Sequence, residues 1–361
     1  MPLFIDYHQF DAVTIEEVKE AHMADKAIQD DYGVKYHQFW VNENAGTVFC
    51  LIEAPDRETC ELVHKLAHGN VACAITEVEQ GFYKLAIGTH TVKSDGGLVA
   101  YSSGEADLGY RSMLAISIRG VTTAKDSSNL EDLLLPNWAI KKTLDNFATF
   151  HGRAIPWEID DSLIAAFDDA SQAVQCSMRL QKKLLNSENQ RPSIIFKIGL
   201  ATAQPVTTDG DFFNETIKLA HRLSNAASDN QILISSLTGK LAHLGPGTDP
   251  ELLKVVTPSE EKLLSELINT LESGLFEDKK HIGRICRNIG VSRPQLYRKI
   301  KTITGRSPNY FIRDLRLNKA RTLLQQKSGN VSEVAMEVGY NNLSYFSKCF
   351  TEKFGFKPSA I

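Results

Sequence analysis

The chain has 361 residues, 42% hydrophobic and 23% charged, a composition that excludes collagen-like, disordered and disulfide-scaffold chains and allows two or three domains. No run approaches the roughly 18 apolar residues of a membrane span, and the opening MPLFIDYHQFD has no basic, then apolar, leader, so a cytoplasmic location without a membrane partner is expected. The formal net charge of −4 conceals a division: residues 1–278 carry 23 Lys and Arg against 40 Asp and Glu, residues 279–361 carry 17 against 4.

A basic end on an acidic chain predicts a nucleic-acid partner, because clustered Lys and Arg gain affinity by releasing counterions from phosphates. The six cysteines form no C-x-x-C pair and read as reduced, mostly buried thiols.

In residues 1–79, LFIDYHQF, KYHQFWVN, TVFCLIEA and ACAITEVE alternate apolar and polar residues, the period of strands. Thr14 with Glu17 makes a capping box for one helix, and Ala54-Pro55-Asp56 opens another. The order βαββαβ predicts a ferredoxin-like unit. Six of the ten histidines (His8, His22, His37, His64, His68, His90) lie in the first 90 residues. Cys60, His64 and His68, at i, i+4 and i+8, share one helix face, with Leu62, Val63 and Leu66 pointing toward the sheet. Such a face can ligate a transition metal, and exposed polar residues on an amphipathic helix give the same pattern. Ligand type alone does not select nickel.

A Gly- and Ser-containing connector, SDGGLVAYSSGEADLG, leads to residues 110–240. There YRSMLAISIRG reads as a strand, 128–150 as a helix, AIPWEI and SLIAAF as a pair across Asp160-Asp161, Asp169 to Leu185 as a helix, IIFKIGLATA as a strand, Phe213 to Ala227 as a helix and QILIS as a strand. This is the first unit's order at larger size. HLGPGTDPELLKVVTPSEE, rich in Gly and Pro, reads as a linker, and a last, all-α domain is expected over 259–361.

That end contains a near-repeat. Ile285-Cys286 precede Gly290 and a helix carrying Leu296 and Ile300; Val334-Ala335 precede Gly339 and a helix carrying Phe346 and Phe350. A small residue four before a glycine, then a capped amphipathic helix, is a helix-turn-helix signature. Ser292 is expected to cap the first recognition helix, Asn341 or Asn342 the second, and Ser307-Pro308 to open a long connecting helix. With Leu296, Ile300 and Ile303 inward, Pro294, Tyr297, Arg298 and Lys301 point outward.

The strings GVSRPQLYRKIKTITGRSPNYFIRDLRLNKARTLL and VSEVAMEVGYNNLSYFSKCFTEKFGFKPS resemble the AraC family of bacterial transcription regulators, in which two helix-turn-helix units on one connecting helix enter successive major-groove segments. The resemblance implies DNA contacts from Arg293, Pro294, Tyr297 and Arg298 and from Leu343, Ser344, Ser347 and Lys348. Arg298 is the expected guanine reader, through a fork to O6 and N7.

SLIAAF and GDFFNETIKLAHRLSNAASDNQILIS resemble the class III nucleotide cyclase homology domain, whose chemistry needs two carboxylates for a metal pair. Aligned on it, Asp161 preserves one carboxylate and Ser117 replaces the other. Trp157 falls near the purine-reading lysine, Asp160 and Ser162 replace glycines, Lys218 takes the place of the transition-state asparagine, and Arg222 survives. The resemblance thus implies a catalytically silent domain serving dimerisation. The strings EEVKEAHMAD, VFCLIEAPDRE and HKLAHG resemble a small nickel-binding-like family of ferredoxin-like fold. It implies a transition metal such as nickel on His22, His64 and His68, with His8, His37 and Glu53 as second candidates.

The expected protein is α+β: two ferredoxin-like βαββαβ domains, the larger cyclase-like, then an all-α double helix-turn-helix domain. The expected function is a homodimeric, non-enzymatic regulator binding double-stranded DNA, with an unidentified small-molecule or metal effector. An active cyclase or a metal-binding protein carrying a DNA-binding tail is the alternative.

Overall fold

The computed structural model describes residues 1–88, 91–94, 96–121, 137–156, 162–185, 193–206, 210–244, 251–272 and 281–361. The chain is α+β, two large sheets and a hairpin followed by a helical end.

Elements β1 (Leu3–Gln9), α1 (Ile15–Ile28), β2 (Lys35–Asn42), β3 (Thr47–Glu53), α2 (Arg57–Ala67) and β4 (Ala74–Val78) build an antiparallel sheet of order β2-β3-β1-β4. Thr14 and Glu17 form the expected capping box, and Asp56 caps α2 by accepting from the Thr59 amide at 2.8 Å. Alternation along β1 sends Phe4, Asp6 and His8 toward α1 and α2, and Ile5 and Tyr7 to the other face.

The connector is more structured than its composition suggests. It is preceded by α3 (Gln80–Ile87), and β5 (Thr91–Lys93) pairs with β6 (Val99–Tyr101). Arg111 fastens it to the second sheet: wholly buried, it donates to both carboxylate oxygens of Asp107, at 2.7 and 3.1 Å, and to the Ile87 carbonyl at 2.7 Å.

The second sheet, order β12-β11-β10-β7-β9-β8, is built from β7 (Arg111–Val121), α4 (Asn137–Thr149), β8 (Arg153–Ile155), β9 (Ser162–Phe167), α5 (Ala170–Leu185), β10 (Ser193–Ala203), α6 (Asn214–Ala226), β11 (Ile232–Ile234), α7 (Ser236–Leu241) and β12 (Leu253–Val255). The expected linker therefore supplies an edge strand, β12, parallel to β11. Asp160, Asp161 and Trp157, and the first part of the helix expected over 128–150, lie outside the described residues.

Both faces of this sheet are covered within the chain. Leu114, Ile116, Ile198 and Leu200 pack with Phe147 of α4 and Ala173, Val174 and Leu180 of α5. On the opposite face Met113, Ala115 and Ala201 share a cluster with Ile217 and Ala220 of α6 and with Ile5, Tyr7, Trp40, Phe49 and Leu51 of the first sheet. Burying a large apolar side chain contributes about 1.5–3 kcal/mol, so this shared core joins the two sheets.

Helices α8 (Pro258–Glu272), α9 (His281–Asn288), α10 (Arg293–Thr304), α11 (Pro308–Gln325), α12 (Val331–Glu337) and α13 (Leu343–Phe354) form the helical end. Leu263, Leu264, Leu267 and Leu271 of α8 unite Leu223 and Ala226 of α6 with Ile285, Leu296, Ile300 and Phe311 in one core.

Candidate nucleic-acid interface and metal cavity

Two helix-turn-helix units hang on α11. In the first, α9 leads through Gly290 (φ +66°) to α10, where the Ser292 side chain accepts from the Gln295 amide and the Gln295 side chain accepts from the Ser292 amide. In the second, α12 leads through Gly339 (φ +85°) to α13, capped by Asn342. A positive φ strains any residue with a Cβ, which is why glycine recurs at both turns. Phe311 and Ile312 of α11 close the core of the first unit; Leu317, Ala320 and Leu324 enter that of the second with Val334, Ala335, Phe346 and Phe350. One rigid helix thereby sets the spacing of both recognition helices.

Leu296, Ile300 and Ile303 are buried as expected, leaving Arg293, Pro294, Tyr297, Arg298 and Lys301 exposed. Lys301 Nζ lies 5.9 Å from the Tyr297 ring centre. On α13, Leu343, Ser344 and Lys348 are exposed and Ser347 half-buried. Tyr345, also exposed, and Tyr310 with Arg313 stacked 4.5 Å over its ring lie between the two units. The sequence reading omitted them; their positions at the starts of α11 and α13 were the available signal.

In the first sheet a cavity of about 300 Å³ is lined by His8, His22, Asp25, His64 and His68. His64 bridges two carboxylates: its Nε2 lies 2.6 Å from Asp6 and its Nδ1 3.2 Å from Asp25. His8 Nε2 approaches Asp6 at 3.3 Å, and His68 Nε2 approaches Asp25 at 3.2 Å. Asp6, His8 and His64 form one cluster of possible ligand atoms, and Asp25, His64 and His68 a second. Burial alone would raise the Asp6 carboxyl, yet His8 and His64 hold it well below the usual carboxylate range. Burial alone would lower His64, yet Asp25 and Asp6 push it up to about 10. His22, depressed to about 4 by burial and by Lys26, has no hydrogen-bond partner on either ring nitrogen among the described residues. Buried polar atoms are ordinarily paired, so an orphaned imidazole beside two histidine-carboxylate clusters fits a transition metal, which takes nitrogen and oxygen donors.

One expectation here is corrected, the side of α2 that faces the sheet. Cys60 belongs to neither cluster; its buried thiol donates to the Asp56 carbonyl at 3.6 Å and is pushed up to about 12, chiefly by burial and by Asp6. The face of α2 turned inward carries Cys60, Val63 and His64, while Leu62 and Leu66 are exposed. Charge pairing with Asp6 and Asp25 outweighs the burial of two leucines. His68 caps the end of α2. His37 and Glu53 pair with each other at 3.0 Å away from the cavity. Asp6 and Asp25 escaped the sequence reading, although Asp6 shares the strand face of His8.

In the second sheet Ser117 lies beside Lys197 of β10 in a crevice completed by Asp314, Asn318, Arg321 and Lys353 of the helical end. Arg222 Nη2 donates to Asn269 Oδ1 at 2.7 Å, and Lys218 pairs with Glu215 at 2.8 Å.

Comparison with known proteins assigns both ends. Residues 285–361 match the family described as "Helix-turn-helix domain" and residues 4–78 the family "Nickel responsive protein SCO4226-like". The C-terminal end carries an AraC-type helix-turn-helix domain, the N-terminal end a SCO4226-like domain. The chain is 32% identical over 117 residues to the HTH-type transcriptional regulator MtrA of Neisseria gonorrhoeae, 32% of this chain and 38% of that protein. It is 36% identical to SCO4226 of Streptomyces coelicolor A3(2), covering 21% of this chain and 94% of that one at a TM-score of 0.20. An adenylate/guanylate cyclase/hydrolase of Silicibacter pomeroyi is 23% identical, covering 36% and 78% of the two chains at a TM-score of 0.31. The chain spans 8% to 38% of the length of the first four curated relatives it matches.

Proposed function

We propose that the chain is a sequence-specific, double-stranded-DNA-binding transcription regulator. The observation that carries this is the pair of exposed recognition faces on α10 and α13, held by one shared helix in the basic segment. On this reading Arg293, Pro294, Tyr297, Arg298 and Lys301 contact one major-groove segment and Leu343, Ser344, Ser347 and Lys348 the next. A binding selection with the full chain should return two half-sites about 10 base pairs apart. With about six to ten phosphates contacted, affinity should fall about 10³- to 10⁵-fold between 50 and 200 mM salt. No preferred sequence and a shallow salt slope would sink the reading.

The units proposed are 1–79, 110–240 and 259–361. The strand order β2-β3-β1-β4 supports a ferredoxin-like first unit, and β10-β7-β9-β8 supports the same core in the second. The second unit is read as a silent cyclase homologue: Lys197 sets a cation beside Ser117, where the resemblance needs a metal-bound carboxylate, and Lys218 occupies the asparagine position. A homodimer is retained from the sequence; with both sheet faces covered, it would use an outer helix surface or a sheet edge. A cytoplasmic location accords with DNA as target.

The second reading, metal sensing, rests on the orphaned His22. A transition metal such as nickel would be held by His8, His64 and His68 with Asp6 and Asp25, His22 adding a neutral imidazole; bound there, it would supply fixed positive charge. His64 would first have to release the proton that Asp6 and Asp25 stabilise.

A further inference from the structure

Helices α6, α8 and α11 meet around a cavity of about 430 Å³, within the 300–1,000 Å³ typical of small-ligand sites. Its apolar side is made by Ile268 and Leu271 of α8 and Leu315 and Leu323 of α11. Among the described residues its polar side gathers three cations, Lys218, Arg222 and Lys319, with one lining carboxylate, Glu272.

The cationic side is held in place. Arg222 is buried, anchored to Asn269 at 2.7 Å and 3.6 Å from Glu215. Glu215 is the shared partner of Lys218 and Arg222, and its side chain is 56% exposed, so a ligand carboxylate or phosphate can take its place at little desolvation cost. Asn318 donates to Asn225 Oδ1 at 3.0 Å and ties α11 to α6 at the cavity wall.

We propose that this cavity binds a small amphipathic organic anion, its head on Lys218, Arg222 and Lys319 and its apolar body against Ile268, Leu271, Leu315 and Leu323, and that occupancy biases DNA binding. The ligand would touch α6, rooted in the second sheet, and α11, which carries both helix-turn-helix units. A ligand shifts an equilibrium only by its differential affinity for the two states, and an occupant bridging α6 and α11 senses their relative seating. The DNA half of the proposal rests on the regulator reading; the binding half does not.

The test uses the full-length chain, with decanoate and 8-anilinonaphthalene-1-sulfonate as anionic probes and decyltrimethylammonium as the cationic control, followed by calorimetry. Wild type should bind one decanoate at this site. Lys319→Glu should weaken it about tenfold, the loss expected for one charge-assisted contact, and Leu323→Trp should abolish it by filling the cavity. Thermal unfolding establishes that both variants are folded, and Lys319→Glu, at a half-buried position, keeps the test open if Leu323→Trp is not. No saturable binding of either anion, equal binding of the cationic control, or binding unchanged in both variants overturns the site. Decanoate should change operator affinity about 5- to 150-fold; bound decanoate with unchanged operator affinity overturns the coupling. Wild-type protein that binds decanoate but no DNA would sink the regulator reading alone.

Discussion

Asp314 of α11 is clamped to Lys353 of α13: Lys353 Nζ lies 2.8 Å from the Asp314 carboxylate and donates to the Asp314 carbonyl at 2.7 Å. Arg306 reaches the same carboxylate at 3.0 Å and Lys197 of β10 at 3.8 Å. One side chain therefore binds the second recognition helix to the connecting helix and to the sheet. Removing it would leave three cations facing one another. Asp314→Ala should lower stability by about 3 kcal/mol, the lower end for stripping a buried pair of one partner. Urea denaturation measures this, and a change within about 0.5 kcal/mol would show the clamp to be idle.

The same carboxylate predicts an acid response. Burial alone would raise Asp314, but Lys353, Lys197 and Arg306 hold it well below the ordinary range. A carboxyl depressed in the folded state stabilises above its unfolded pKa, about 4, and loses that contribution as pH falls toward its folded value. The stability gap between wild type and Asp314→Asn should be constant above about pH 5 and shrink below about pH 4. A gap constant to pH 2 would contradict the pairing.

Arg298→Ala should cost about 1–3 kcal/mol at one base position and relax preference there. Competition binding against a set of single-base operator variants reads this directly. An equal loss on every sequence would make Arg298 a phosphate contact.

Gly199 of β10 lies under α6 so closely that a Cβ there would stand 2.0 Å from the Ala220 carbonyl oxygen and 2.3 Å from the Ser224 amide nitrogen. Both are backbone atoms of a packed helix, so the helix itself must move. Gly199→Ala should destabilise by about 1–3 kcal/mol or more. An unchanged melting temperature would refute the close crossing of strand and helix.

Titration of nickel, zinc and cobalt into the full chain should show metal retained by Cys60→Ser. Affinity should fall at least about tenfold in Asp25→Ala and in His64→Ala/His68→Ala. Metal content unchanged by the double substitution would remove the histidines as ligands, and loss of metal in Cys60→Ser would restore the thiolate.

The recognition helices were legible in the sequence because their determinants are local. A cap at Ser292 or Asn342, a glycine at 290 or 339 and an apolar period through Leu296, Ile300 and Ile303 all act within about a dozen residues, and the structure repeats each of them. The strands of the first sheet were legible for the same reason, since alternation is set residue by residue. Connections were less so: β5, β6 and β12 are three residues each, too short for an alternation to show, and β12 gains its order from β11.

Only the tertiary structure decided which residues share a cavity. Asp6 and Asp25 meet His64 from β1 and α1, and no spacing encodes a pairing across separate elements. It turned Cys60 and His64 inward and Leu62 outward, because two buried carboxylates reward an imidazole more than the core rewards another leucine. It also placed α8 and α11 against α6, through the core that Leu223, Leu264 and Phe311 share. Sequence periodicity determines which face of an element is apolar; what covers that face is set by the packing of the whole chain.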